Sequence, residues 1–305
     1  MKVQVLMSTY NGEKYVEEQI RSIEENRKDD IEIYLIIRDD GSSDRTIEII
    51  ENLIVESKVC IRLIRGENLG PPRSFLELIR IASSSDLYFL CDQDDVWDAR
   101  KIQVIANTGK NRKEIPQLYI SGYYLANEKL DIMRECNYEN KVINTLLQIL
   151  FANIAPGCTM AFNDMLLQEL KKDMPKDVPM HDIYILITAY CTGEINYVKE
   201  PLMYYRQHGN NTEGVQSKKI NWKRVLQKQK KLLTYEGGYT VELARYVQSE
   251  YSQILSVAEM KKLQLVLEYK NSLQIKFRLM KQKEIYYHNI RSDLLTLEKV
   301  LLNKY

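Results

Sequence analysis

The strongest constraint on this chain is an alternation in its first hundred residues. Short aliphatic runs alternate with stretches whose apolar residues recur at helical spacing. Val3–Met7, Ile31–Arg38, Val59–Ile64 and Leu87–Cys91 read as strands. Between them, Val16, Ile20 and Ile23, then Ile47, Ile50 and Ile54, then Phe75, Leu78, Ile79 and Ala82 each line one helical face. Ser43 stands where an N-cap belongs for the second helix, and Pro71-Pro72 precede the third. Strand–helix–strand order with helices of about ten residues implies an α/β fold with parallel pairing and right-handed crossovers.

Three of these strands stop in a polar cluster. They are Ser8-Thr9-Tyr10-Asn11-Gly12, Asp39-Asp40-Gly41-Ser42-Ser43-Asp44 and Asp92-Gln93-Asp94-Asp95. Ligands of open α/β sheets bind at the carboxyl ends of the strands, beside a switch in strand order. The clusters are therefore expected to converge on one cleft. Three carboxylates in four residues repel each other unless a cation or proton intervenes. Hard oxygen donors of this kind suit Mg²⁺ or Mn²⁺. An acidic surface loop would show the same residues; the strand before it and the two companion clusters favour a site.

Beyond residue 118 the texture is mixed. Leu118–Ala126 and Cys158–Phe162 read as strands, and Asn144–Phe151 as a helix. Asn163 caps a helix ending near Lys172. Asp182–Cys191 is helical with Gly193 at its C′ position, and Ile195–Arg206 is a strand bent at Pro201. Asp182 in a first helical turn is either a macrodipole partner or a general base. Residues 219–305 hold no proline and are rich in Leu, Lys, Gln and Glu, so a helical region is expected to follow an α/β domain of residues 1–215.

Charge separates the same two parts. The net charge is +1, yet residues 216–305 carry 18 Lys+Arg against 8 Asp+Glu, a balance of +10. Lys218, Lys219, Lys223, Arg224, Lys228, Lys230 and Lys231 are interleaved with Trp222, Val225, Leu226, Leu232 and Leu233. That composition fits a peripheral membrane contact, and equally a homodimer or interdomain face. No window of ~18 apolar residues predicts a spanning helix, and the N-terminus reads without a targeting signal. Five scattered cysteines match neither a zinc site nor a disulfide framework, so a reducing cytoplasm is expected.

Taken together, the clusters resemble a known family. Ser8–Gly12, Arg38–Asp44, Asn68-Leu69-Gly70 and Cys91–Trp97 look like the family 2 glycosyltransferases with the GT-A fold. His181-Asp182 and Tyr205-Arg206-Gln207-His208-Gly209-Asn210-Asn211 look like their bacterial rhamnosyltransferase-type branch, which builds envelope polysaccharides. The resemblance spans about residues 1–215. It implies a nucleoside-diphosphate sugar donor, UDP- or dTDP-linked, and a lipid-linked or oligosaccharide acceptor, with no nucleic acid.

Carried onto this sequence, the resemblance puts Thr9, Tyr10, Asn11, Asp39, Asp40 and Asn68 at the donor. Arg73 stands near its phosphates, by a looser alignment. Asp92 opens the Asp-x-Asp motif, at the donor and as a second metal ligand, and Asp94 closes it as the main one. His208 stands near a metal or diphosphate position. Asp182 stands at the catalytic base, where many relatives have Glu-Asp in place of His181-Asp182. The Gln-x-x-Arg-Trp motif of processive synthases is missing, which implies transfer of a single sugar. A sugar nucleotidyltransferase of the same fold would carry a glycine-rich, basic loop after the first strand, and Ser8–Glu13 is not one. A non-catalytic scaffold would have no need of Asp92, Asp94 and Asp182 together.

Overall fold

The computed structural model describes residues 1–109, 114–138, 145–151, 155–172, 174–175, 178–208, 239–286 and 290–305. The chain divides into two compact units, Met1–Val142 with Ala155–Gly214, and Ile143–Ile154 with Val215–Tyr305.

In the first unit, β1 (Lys2–Thr9), α1 (Val16–Glu24), β2 (Glu32–Asp39), α2 (Thr46–Glu56), β3 (Cys60–Arg65), α3 (Pro71–Ile81) and β4 (Leu87–Asp92) follow the expected alternation. The four strands pair in parallel, in the order β3-β2-β1-β4. Val3, Val5 and Met7 point into one core with Ile33, Leu35, Ile37 and Phe89. Leu6, Ile36 and Leu90 are buried as well. Burial on both faces explains why these strands read as continuous apolar runs rather than alternating ones.

After β4 the chain forms β5 (Val96–Trp97), α4 (Lys101–Thr108), β6 (Gln117–Ala126), β7 (Ile132–Cys136), α5 (Leu146–Phe151, which belongs to the second unit), β8 (Met160–Asn163), α6 (Asp164–Lys172), α7 (His181–Thr192) and β9 (Glu194–Arg206). The sheet continues β4-β8-β6-β9-β5, with β7 on β6. β8 runs antiparallel to both β4 and β6, whereas β6 and β9 are parallel. Parallel pairing thus holds for the first four strands, and the second half is mixed. β5, α4 and β7 have no clear periodic signal in the sequence, being two residues, eight residues and five mostly exposed residues long.

Local signals are mostly confirmed. The β6–β9 register shifts around Gly122, opposite Pro201. A Cβ at Gly122 would lie 2.8 Å from the Lys199 carbonyl, so the bulge needs glycine there. Asn163 caps α6, accepting from the Leu166 N–H at 3.0 Å. Gly193 is the C-cap of α7 itself, in extended rather than left-handed backbone, and glycine is required there because a Cβ would lie 2.1 Å from the Pro116 carbonyl. Ser43 does not cap α2. Asp44 Oδ1 accepts from the Thr46 N–H at 3.0 Å, and the Ser43 N–H donates to Asn11 Oδ1 at 2.8 Å.

The second unit joins α5 to α8 (Tyr239–Tyr251), α9 (Val257–Glu268), α10 (Leu273–Met280) and α11 (Ile290–Leu301). The C-terminal region is helical, as expected. Thr240 Oγ1 donates to the Leu150 carbonyl at 3.2 Å, and the Phe151 and Tyr305 rings lie 4.6 Å apart. A Ser256/Glu259 capping box starts α9. Among the described residues no helix is long and apolar enough to cross a membrane. The basic cluster Lys218–Lys231 with its apolar neighbours, Asn144 and Gly209–Asn211 lie outside the described residues.

Candidate active site

The ends of β1, β2 and β4 lie side by side, because register pairs Thr9 with Asp39 and Ser8 with Asp92. Hydrogen bonds lace the first two turns together. The Asn11 N–H donates to Ser42 Oγ at 2.9 Å, with Asn11 itself left-handed at φ 47°. Asp39 is fully buried. Its carboxylate accepts from Thr9 Oγ1 (2.9 Å), the Gly41 N–H (3.2 Å), and the Ser42 N–H (2.8 Å) and Oγ (2.6 Å). Asp40 is buried too, paired with Arg38 and accepting from the N–H groups of Leu69 (3.0 Å) and Gly70 (2.8 Å). Both carboxylates are thus engaged in building the loops.

Three other candidates face solvent. Tyr10 is 47% exposed, with its N–H and carbonyl held by Gln93 at 2.9 and 3.0 Å. Gly12 is needed under that contact, since a Cβ there would lie 2.1 Å from Gln93 Oε1. Asn68 is exposed, with Oδ1 accepting from the Gly70 N–H at 3.2 Å. Arg73 is exposed on the first turn of α3.

The acidic turn follows β4. Asp94 Oδ2 lies 2.7 Å from His208 Nε2, and the His208 ring stacks on Tyr15 at 4.8 Å. Arg206 binds the turn from the end of β9. Its Nε donates to the Asp94 carbonyl at 2.8 Å, and its N–H to Asp95 Oδ1 at 3.1 Å. Its Nη1 donates to the Glu128 carbonyl at 2.7 Å, and its guanidinium lies over the Tyr15 ring at 4.8 Å. Tyr15 in turn donates to Glu128 Oε1 at 2.8 Å. Sequence reasoning singled out His208 and passed over Arg206 in the same motif. Tyr15 carries no signal of its own.

Burial, then the Asp94 charge, pushes the Asp92 carboxyl up to about 7, and Asp182 adds to the rise. Burial, then Asp94 and Asp92, pushes Asp95 well above the carboxylate range. Ligand atoms of Asp92, Asp95 and Cys158 lie within 4.8 Å of one another. Excess negative charge, with an imidazole beside Asp94, is a donor set that fits a divalent cation.

Asp182 is the second residue of α7 and is 2% exposed, with Oδ1 accepting from the Ile183 N–H at 2.7 Å. Its charge is one of those that raise the Asp92 pKa. His181 is 5% exposed and stacks on Phe75 of α3 at 4.1 Å, and neither ring nitrogen has a hydrogen-bond partner among the described residues. A Cβ at Gly157 would lie 2.4 Å from its Nε2. Burial lowers its pKa from 6.5 to about 3. Between those values the unfolded chain binds the proton and the folded chain does not. His181 therefore leaves stability intact above pH 6.5 and drains it as pH falls. Urea unfolding should show His181→Phe losing about 2 kcal/mol less than the native protein on going from neutral pH to about pH 5. Parallel losses in the two proteins would contradict the buried neutral ring.

Residues 4–168 match the family model Glycosyl transferase family 2. The chain is also 30% identical to the dTDP-rhamnosyl transferase RfbG of Shigella flexneri over 237 residues, 72% of this chain and 78% of that protein. The chain belongs to glycosyl transferase family 2. This family 2 enzyme superposes on S. aureus TarS residues 1–349, crystallised with UDP-GlcNAc, with a TM-score of 0.57 at 15% identity, covering 98% of this chain and 90% of that one. It also resembles the mannosyltransferase PcManGT of Pyrobaculum calidifontis, crystallised with GDP-Man and Mn²⁺ (TM-score 0.51, 15% identity, 99% and 88% covered). The fold of the glycosyltransferase is therefore GT-A, with a helical C-terminal region. The family match includes the three strand-end clusters and stops short of Asp182 and His208.

Proposed function

We propose that this glycosyltransferase moves a single sugar from a nucleoside-diphosphate donor to a hydroxyl of a lipid-linked or oligosaccharide acceptor, with inversion at the anomeric carbon. Rhamnose from a dTDP-linked donor is the preferred assignment, supported by the likeness to the Shigella flexneri enzyme. The observation that carries the reading is the register that sets the polar ends of β1, β2 and β4 side by side, Thr9 opposite Asp39 and Ser8 opposite Asp92.

In this reading Asp182 takes the proton from the acceptor hydroxyl as its oxygen attacks the anomeric carbon. The Ile183 N–H fixes the orientation of that carboxylate. A single displacement needs no covalent intermediate, so the cysteines stay bystanders. The exposed Tyr10 ring offers a face to the nucleobase, and Asn68 and Arg73 flank the diphosphate. Thr9, Asn11, Asp39 and Asp40 hold the loops that shape the donor pocket. Asp94, Asp92 and His208 would hold Mn²⁺ or Mg²⁺, which neutralises charge developing on a leaving diphosphate. The basic balance of residues 216–305 fits an acceptor presented at an anionic membrane surface.

A thermal-shift screen of nucleotide sugars with and without Mn²⁺ tests this reading. A true donor at about 100 times its Kd should stabilise the protein by about 2.7 kcal/mol. dTDP-rhamnose is expected to give the largest shift. If no nucleotide sugar shifts the melting point under either condition, the reading fails.

A further inference from the structure

Lys101, in the first turn of α4, lies in the interior at 1% exposure. Its Nζ donates to the Cys158 carbonyl at 2.8 Å, lies 3.4 Å from Met203 Sδ and sits 4.2 Å from the centre of the Trp97 ring. None of these partners is charged. An ammonium taken out of water onto a carbonyl, a thioether and an indole face is costly unless a negative charge stands close by.

Two carboxyl groups stand beside that same Cys158. The Cys158 sulfur and the carboxylates of Asp92 and Asp95 are within 4.8 Å of one another. Asp95 is 1% exposed, and its Oδ2 has no hydrogen-bond partner among the described residues. A buried cation and a buried carboxylate oxygen, each short of a charged partner, thus flank one residue. Both are 1% exposed, so bulk water screens them weakly. Burial lowers the Lys101 pKa, while Cys158, Cys91, Asp95 and Asp92 oppose that shift.

We propose that Lys101 is a resident counter-ion, a positioning residue whose ammonium balances Asp92 and Asp95 beside Cys158. It allows the acidic turn to fold before a metal ion or donor arrives. A second consequence rests on the divalent-cation reading above. Lys101 and an added cation repel each other, so removing Lys101 strengthens cation binding. A simple packing defect would not do that.

The test is a stability cycle in chelator with the native protein, Lys101→Met, Asp95→Asn and the double variant, followed by calorimetric Mn²⁺ titration. Asp95→Asn should stabilise the Lys101→Met protein more than it stabilises the native one. Equal effects in the two backgrounds would overturn the counter-ion. If Lys101→Met does not fold, Lys101→Gln takes its place in the cycle. Mn²⁺ should bind each variant lacking Lys101 at least about threefold tighter than its Lys101 counterpart, and equal or weaker binding would overturn the antagonism. A native protein that binds no Mn²⁺ would count against the cation reading alone, because the stability cycle needs no metal.

Discussion

Replacing Asp182 with Asn should lower turnover by about 10²–10⁴-fold while leaving donor affinity within about twofold of native. The amide keeps the size of the carboxylate, and its oxygen still accepts the Ile183 N–H bond seen at 2.7 Å. It cannot take a proton from an attacking hydroxyl. His181 cannot take over, because burial holds its pKa at about 3 and its Nε2 faces Gly157. The deficit should therefore fall on kcat, with the donor Kd unmoved. Nucleoside-diphosphate release followed under saturating donor, with calorimetry of donor binding, separates the two. A variant that keeps more than about a tenth of native turnover is not missing its base, and the assignment of Asp182 would have to be withdrawn.

The first four strands were legible because each element is long enough to show its period, and the polar clusters end strands at one edge of the sheet. The second half was less so. β5 is two residues long, and α4 begins with a lysine that the core accepts, against every expectation for that residue type. Asp39 and Asp40 were legible as strand-end residues, but position does not reveal what a carboxylate already binds. Asp39 takes four hydrogen bonds from its own loops, and Asp40 is paired with Arg38. Arg206 escaped for a related reason. It sits a hundred residues beyond the turn it organises, and only the β5–β9 and β6–β9 pairings bring it back. Long-range contacts of that kind leave no local period to detect.

The second large effect is expected at Asp94. Asp94→Ala should lower kcat/KM for the donor by about 10²-fold or more, and should remove any Mn²⁺ dependence of donor binding. Asp94 is the carboxylate in contact with His208, and its charge also raises the proton affinity of Asp92 and Asp95. Removing it therefore does two opposite things. The site loses an oxygen donor and the imidazole loses its partner, while the two buried carboxylates lose a repelling neighbour. Activity and stability should consequently part company, with transfer falling steeply and chelator-treated variant unfolding at a urea concentration close to native. Asp94→Asn serves as the conservative control, since it removes the charge and keeps a hydrogen-bonding partner for His208. If both variants lose transfer alike, the missing quantity is the negative charge. If Asn restores it, Asp94 matters only for holding His208 over Tyr15. Native transfer that runs at full rate in chelator would take the cation out of the mechanism and leave Asp94 with that second role.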